Sequence, residues 1–404
     1  MNDGRRGLTW WWRYALRAVT VQNPVRILRA ALAALLLVAL LGGASVAQTP
    51  GELDPVLATK LQARLDRWRV SHGAPGVAAA VRLPDGSRWM GTSGERVVGK
   101  GDRPVSVLTP FEIGSLTKTF VAALVLKLQE EGRLTLDQPI STWLPDYPVA
   151  KGITVRMLLS HRSGIYDYFS HPRYESKVFD RPRHRWSTHE ILALTGPRYC
   201  RPDTCFHYSN TNYVLLGRII QKVTGASVAR NLRDRFLFPL GLRDTFFQGQ
   251  EPILKVPAEG YLATRKGYQR FADGSRLRPN TSAATVANAA GAMVSSVRDI
   301  SDWQDALLSG SILQPASLAQ MLDFDRKSGY GLGMRYARLD GILGIGHGGS
   351  LRGFVALMYR LHRQDIDVVV LTNLGRTNIQ GLADDLTRVS MRHFGIPRPP
   401  TLQP

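Results

Sequence analysis

The chain has 404 residues, 44% of them hydrophobic and 21% charged, and a formal net charge of +20. Those fractions exclude a disordered or collagen-like chain, and the length accommodates one large domain or two ordinary ones. Six arginines and one aspartate fall within residues 1–47, which leaves +15 on the remainder, spread along it with one denser stretch, Arg181-Pro182-Arg183-His184-Arg185. No nucleic-acid module or aromatic-interleaved basic stripe accompanies this charge, so no nucleic-acid partner is expected. A solvated basic surface, or non-specific attraction to anionic cell-envelope polymers, accounts for it.

Residues 1–29 are basic and include Trp10-Trp11-Trp12, and residues 30–47 are uncharged and apolar, closing on Ser45-Val46-Ala47. Small residues there fit signal cleavage, giving a periplasmic or secreted protein with a mature start near Gln48. Retention of residues 30–47 as an uncleaved membrane anchor is the rival, since the run sits at the lower edge of spanning length. Residues 48–396 then form one folded domain, and the Pro-rich residues 397–404 a disordered tail.

Leu53 to Val70 has helical periodicity, with Leu57, Leu61, Leu65 and Trp68 on one side. Gly76–Leu83 and Ser87–Thr92 flank Pro84-Asp85-Gly86, a hairpin signal. An amphipathic helix runs from Leu116 to Glu131 and ends at Gly132. Helices and loops follow to about residue 290, among them Thr211–Thr224 closed by Gly225. Asp299 caps a helix containing Ile300, Trp303 and Leu307. Strands follow at Leu332–Arg338, Ile342–His347, Phe354–Leu361 and Ile366–Thr372, then a last helix over Ile379–Phe394. Strands at both chain ends imply an α/β (α+β) fold: an antiparallel sheet with a terminal helix on each face and an inserted, mostly helical subdomain.

Ser115-Leu116-Thr117-Lys118 is the one Ser-x-x-Lys in the chain. Residues three apart share a helix face, so a hydroxyl meets an amine that can take its proton. Lys118 serves as that base only when neutral, which needs burial or a nearby positive charge. Tyr208-Ser209-Asn210 is the one Tyr-x-Asn, and its phenol is the second candidate base. His347-Gly348-Gly349-Ser350 ends a strand whose glycines allow substrate backbone to approach. The other His-x-Gly, His393-Phe394-Gly395, lies at the end of the last helix. Cys200 and Cys205 fit a small-loop disulfide in an exported protein, or two free thiols; two ligands do not make a zinc site. Gly344-x-Gly346-x-x-Gly349 precedes strand rather than helix and is no dinucleotide fingerprint. There is no Gly-x-Ser-x-Gly.

Taken in order, Ser-x-x-Lys, Tyr-x-Asn and the small-residue strand motif resemble the signatures of serine β-lactamases and penicillin-binding proteins. The Tyr-x-Asn form is similar to class C β-lactamases and their relatives, D-alanyl-D-alanine carboxypeptidases, D-aminopeptidases and β-lactamase-fold esterases. Phe111-Glu112-Ile113-Gly114-Ser115, Leu134-Thr135-Leu136-Asp137-Gln138-Pro139-Ile140, Ile153-Thr154-Val155-Arg156-Met157-Leu158-Leu159-Ser160-His161 and Tyr330-Gly331-Leu332-Gly333 extend the likeness over residues 55–395. The resemblance implies a cleft between sheet and helical part, and an acyl-enzyme on Ser115 with Lys118 and Tyr208 as a coupled unit. It implies substrate contacts from Asn210, His347, Gly349 and Ser350, an oxyanion hole from the Ser115 and Ser350 amides, and no cofactor or metal. His161 and Asp167 border the cleft as structural residues. The substrate implied first is a D-alanyl peptide, as for a D-alanyl-D-alanine carboxypeptidase. An esterase, a weak class C-like β-lactamase and a non-catalytic envelope sensor are the alternatives. Class C relatives usually carry Lys-Thr-Gly where His347 stands, which argues against efficient β-lactamase action. A histidine there is expected to titrate near neutrality and either bind a substrate carboxylate or relay a proton to Tyr208.

Overall fold

Alternate residues of the strand Gly76–Arg82 face two different cores: Val77, Ala79 and Val81 pack into one apolar cluster, Ala78 and Ala80 into the other. That parity organises the molecule. The computed structural model describes residues 51–99, 101, 103–272 and 281–397. The expected leader or anchor and all but Pro397 of the expected tail lie outside the described residues. Among the described residues no helix is long and apolar enough to cross a membrane.

From the N-terminus the strands are β1 (Gly76–Arg82), β2 (Arg88–Gly94), β3 (Phe111–Glu112), β4 (Phe246–Phe247), β5 (Gly260–Thr264), β6 (Gly267–Ala272), β7 (Met293–Ser295), β8 (Arg335–Leu339), β9 (Ile342–Leu351), β10 (Phe354–Leu361) and β11 (Ile366–Thr372). The main sheet has the order β2-β1-β11-β10-β9-β8, all neighbours antiparallel. The β8–β9 hairpin turns on Asp340-Gly341, both at positive φ (49° and 84°), the backbone such two-residue turns require. The long helices are α1 (Pro55–Ser71), α2 (Thr117–Glu130), α3 (Asn210–Thr224), α4 (Thr281–Gly291), α5 (Val297–Leu308) and α6 (Gln380–His393).

The expectation of one terminal helix on each face is corrected. Leu57, Leu61, Leu65 and Trp68 of α1 and Leu382, Ala383 and Leu386 of α6 share a single cluster with Val77, Ala79, Val368 and Val370. β1 and β11 are neighbours, so the helices flanking them descend onto the same side. The opposite face, Ala78, Ala80, Val369 and Leu371, is covered by α5 through Ile300, Trp303 and Leu307. A sheet buried on both sides needs no polar alternation, and all seven residues of β11 are buried.

Several element boundaries also differ. Ser296, not Asp299, caps α5, its side chain accepting from Asp299 N at 3.2 Å. Asp299 is buried in the first turn and accepts from Asp244 N and the Thr245 hydroxyl. The stretch expected to be helix and loop contains β4, β5 and β6, and β7 follows it; β3-β7-β4 make a small sheet of their own. β8 starts at Arg335 because Gly333 turns the chain at φ 73°. β9 runs on through the glycines to Leu351 rather than ending at His347. α2, expected to be amphipathic, is buried from Thr117 through Leu126 and is the central helix of the helical part.

Candidate active site

Ser115 sits in a short turn, Gly114–Leu116, that feeds directly into α2. Gly114 has φ 51°, and a Cβ on it would stand 2.9 Å from Ser350 N. A Cβ on Gly349 would fall 2.0 Å from the Ile113 carbonyl oxygen. Only glycines let β9 lie this close to the nucleophile turn, and the contact brings the Ser350 amide beside Ser115. Helix periodicity then places Lys118 one turn on, with Nζ 3.0 Å from Ser115 Oγ. From the other wall, Tyr208 donates its hydroxyl to Ser115 Oγ at 2.9 Å. Ser115, Tyr208, Asn210, Arg335, His347 and Ser350 line one cleft of about 600 Å³.

Lys118 is fully buried, and its ammonium form is penalised accordingly: burial brings its pKa down to about 7, with Asp167 opposing the shift. Its other two partners are Asn210 Oδ1 at 2.8 Å and the Ala290 carbonyl at 2.7 Å. A neutral amine has two N–H bonds and one lone pair. Asn210 and Ala290, both acceptors here, use the two hydrogens, which leaves the lone pair for the serine hydroxyl. Asn210 cannot present its nitrogen instead, because Nδ2 donates to Asp167 at 3.3 and 3.1 Å. Tyr208 is held in the opposite sense: burial pushes its phenol above the ordinary value, so it is a proton donor at neutral pH. The geometry and charge therefore favour Lys118 as base.

The Ala290 carbonyl is available because α4 is broken. Asn288 adopts φ 44° and ψ −142° inside it, a conformation that L residues other than glycine seldom take. The Asn288 side chain accepts from Ala289 N at 2.7 Å and steadies that break.

His347 departs from expectation. Burial, with Lys118 and Arg335 nearby, lowers its pKa to about 3, so it is neutral at physiological pH. Its Nδ1–H donates to the Gly348 carbonyl, and its Nε2 accepts from the Tyr330 hydroxyl at 3.0 Å. Tyr330 in turn accepts from His161 Nε2 at 3.3 Å, and His161 Nδ1 accepts from Ser209 N at 3.1 Å. Both imidazoles are thus spoken for in a buried chain that ties the Tyr208-Ser209-Asn210 wall to β9. No hydrogen bond links His347 to Tyr208, whose ring centroids are 6.3 Å apart. In this arrangement His347 carries no charge and makes no hydrogen bond to Tyr208.

The cation at this end of the cleft is Arg335, which the sequence reading did not single out. It is exposed, lines the cleft, and makes no salt bridge among the described residues. Its strand register, opposite Gly346, sets it beside His347. The signal was present in the Asp340-Gly341 turn, from which that register can be counted outward. Tyr330, Asn288 and Ala290 were also missed as contributors.

Cys200 and Cys205 form a disulfide. Its loop is anchored to the cleft wall: Asp203 N donates to the Arg162 carbonyl and Tyr199 N to the Gly164 carbonyl, each within 2.9 Å, and His207 N to the His161 carbonyl at 2.9 Å. Tyr208 follows directly. His393 lies at the end of α6, away from this cleft.

The family profile described as Beta-lactamase matches residues 54–389. The chain belongs to the Beta-lactamase family. Among solved structures, a D-amino acid amidase from Ochrobactrum anthropi SV3 superposes with a TM-score of 0.73 at 30% identity, covering 84% of this chain and 99% of that one. A D-stereospecific amidohydrolase from Streptomyces sp. gives 0.69 at 31% identity, covering 81% and 97%. Penicillin-binding protein 4 of Amycolatopsis lactamdurans is 36% identical over 199 residues, 48% of this chain and 50% of that protein. The teichoic acid D-alanine hydrolase of Staphylococcus aureus is 31% identical over 172 residues, 43% of this chain and 40% of that protein. The chain thus aligns with half or less of the length of these curated relatives. It is a serine hydrolase of the β-lactamase fold.

Proposed function

We propose that this chain hydrolyses amide or ester bonds of D-amino acids, D-alanyl groups first, through an acyl-enzyme on Ser115. The observation that carries the reading is the closed arrangement of Lys118 Nζ and Tyr208 OH at 3.0 and 2.9 Å from a single Ser115 Oγ. The neutral Lys118 amine takes the serine proton as Oγ bonds to the carbonyl carbon. The carbonyl oxygen gains the electron pair and is received by the Ser115 and Ser350 amides. As the C–N or C–O bond breaks, the leaving group takes the Tyr208 proton, and the Lys118 ammonium returns one to the phenolate. Water then attacks the ester carbonyl with Lys118 again accepting the proton; as the C–Oγ bond breaks, Lys118 returns that proton to Ser115 Oγ and the carboxylic acid leaves.

Support for D-amino acids as the acyl group comes from similarity to the D-amino acid amidase, the D-stereospecific amidohydrolase and the teichoic acid D-alanine hydrolase. Where the leaving group is a peptide end, Arg335 holds its carboxylate, a reading supported by its exposed side chain on the cleft wall beside an uncharged His347. Export, with the basic surface facing anionic envelope polymers, completes the proposal, since D-alanyl groups occur in the cell envelope. β-Lactams acylate Ser115 but turn over poorly.

The test is turnover of D-alanine p-nitroanilide and of D-alanine ethyl ester, with covalent labelling by a fluorescent penicillin, in wild type and Ser115→Ala. Loss of turnover and label in the variant is expected. Undiminished hydrolysis by Ser115→Ala overturns the Ser115 acyl-enzyme, and no reaction of wild type with any of the three overturns the reading and leaves the non-catalytic sensor ahead.

A further inference from the structure

On the face of the main sheet turned away from α5, α1 and α6 pack side by side. Their apolar residues, from Leu57 to Trp68 on α1 and from Leu382 to Leu386 on α6, are spent on the sheet. Their outer sides leave a groove of two recesses, about 860 and 450 Å³, which share Arg64 and Arg67. The smaller recess holds no acid: its titratable residues are Lys60, Arg64, Arg67, Arg392 and His393. Helix spacing groups them, since positions 60, 64 and 67 share one face of α1, as 389, 392 and 393 share one face of α6.

The chain neutralises only part of this charge. Arg64 stands 3.9 Å from Asp385, and His393 3.6 Å from Asp54. In the larger recess Arg388 is bonded to Asp340 and Asp385, Asp384 accepts from the Gln380 amide and Asp340 N, and Asp66 accepts from Gln62. Lys60, Arg67 and Arg392 are exposed and make no ion pair among the described residues. Like charges repel at spacings of three and four, and Arg64 stands at those spacings from both Lys60 and Arg67. The rest of the two chain ends carries little to offset them: residues 1–50 hold Asp3 as their one acid, and residues 398–404 hold none. An external anion is the counter-charge this groove lacks.

We propose that the α1–α6 groove is a docking site for a linear phosphodiester polymer. Lys60 to Arg67 spans about 10 Å of α1, more than a single phosphate bridges, and the joined recesses make a track rather than a point. A row of cations suits regularly spaced phosphates, with the arginines supplying charge-assisted hydrogen bonds. A lipid surface fits less well. A helix lying on one needs an outward apolar face, and the exposed large apolar side chains of α1 are Val56 and Val70, near its two ends. Nucleic acid also fits less well, because bases need ring platforms and His393 is the one ring in the acid-free recess. The larger recess begins at Gly381, next to Gln380 of the catalytic cleft, so a polymer in the groove runs up to the far end of that cleft. Docking would keep the hydrolase on its polymer, whichever bond Ser115 attacks.

The test measures the affinity of the full chain for synthetic poly(glycerol phosphate) at physiological salt by calorimetry. Lys60→Ala/Arg67→Ala/Arg392→Ala is expected to weaken binding about ten-fold or more. A control, Arg243→Ala/Arg265→Ala/Lys327→Ala, removes three exposed cations elsewhere and should weaken it less than about three-fold. Equal losses would reduce the attraction to net charge and overturn the site, as would no binding by wild type. Monomeric glycerol phosphate, single-stranded DNA and phosphatidylglycerol vesicles are run beside the polymer, and tighter binding of any of them overturns the assignment. Ser115→Ala should bind the polymer as wild type does, and both triple variants should keep wild-type turnover of D-alanine ethyl ester. The docking site and the acyl-enzyme reading therefore fail separately.

Discussion

Asn210 Oδ1 lies 2.8 Å from Lys118 Nζ, while the nitrogen of the same amide is taken by both oxygens of Asp167. The amide is thereby fixed as an acceptor toward the lysine, and the lysine's lone pair is left for Ser115. Removing the amine should therefore remove the base. Lys118→Ala is expected to slow acylation by roughly 10²–10⁴-fold, the usual scale of general-base catalysis. Stopped-flow acylation with a chromogenic ester checks it, with circular dichroism to confirm the fold. A loss below ten-fold would shift the role to Tyr208.

The same amine predicts a pH profile. Only neutral Lys118 is a base, so kcat/KM should rise with pH through a midpoint near 7. Asp167 is the charge that raises the Lys118 pKa, so Asp167→Asn should move the midpoint to lower pH. A shift toward higher pH contradicts the assignment.

Stability should follow the same group. The Lys118 pKa is lowered in the folded chain, from 10.5 to about 7, so between those values the unfolded chain binds the extra proton. Stability contributed by this group therefore rises with pH across that window and is flat below it. Replacing Lys118 with methionine should flatten the rise in Tm between pH 7 and 9. An unchanged slope would mean the amine is not buried in solution.

At the far end of the cleft, Arg335 and His347 should behave differently. Arg335→Ala is expected to cost substrates with a leaving-group carboxylate about 10–100-fold more than neutral esters, the scale of a charge-assisted hydrogen bond. His347→Ala should affect both kinds alike, because its two nitrogens already serve Gly348 and Tyr330. Ring-proton NMR should show no titration of His347 between pH 5 and 8, since its pKa lies near 3. A midpoint above 5 would restore the carboxylate-binding role to the histidine.

The disulfide offers a further check. Replacing both Cys200 and Cys205 with serine removes a small closed loop and should cost about 2 kcal/mol of stability by the chain-entropy estimate. Denaturant unfolding measures it. Because the loop is bonded to Arg162 and Gly164 and leads into Tyr208, kcat should fall as well.

Much of this was legible in the amino-acid sequence. Ser115, Lys118, Tyr208 and Asn210 are separated by up to 95 positions, yet each motif's local spacing places it on a helix start or a loop before one. β10 and β11 were bounded as found, since long apolar runs between turns leave little choice. β3, β4 and β7 were not, because two or three residues show no period. The state of His347 was hidden for another reason: a lone histidine titrates near neutrality, and only the surrounding Tyr330, Lys118 and Arg335 reverse that. The side on which α1 and α6 settle depends on β1 and β11 being neighbours, which periodicity within either strand does not reveal.

The adjacency of β1 and β11 has a consequence for biosynthesis. A polypeptide emerging from the ribosome cannot complete its central sheet until residue 372 has been made, because the strand from one extremity must dock against the strand from the other. Contacts that distant in sequence form late and slowly. The nascent chain therefore carries Ser115 for most of its synthesis without the strand that closes against its turn, which arrives only with the final hundred residues.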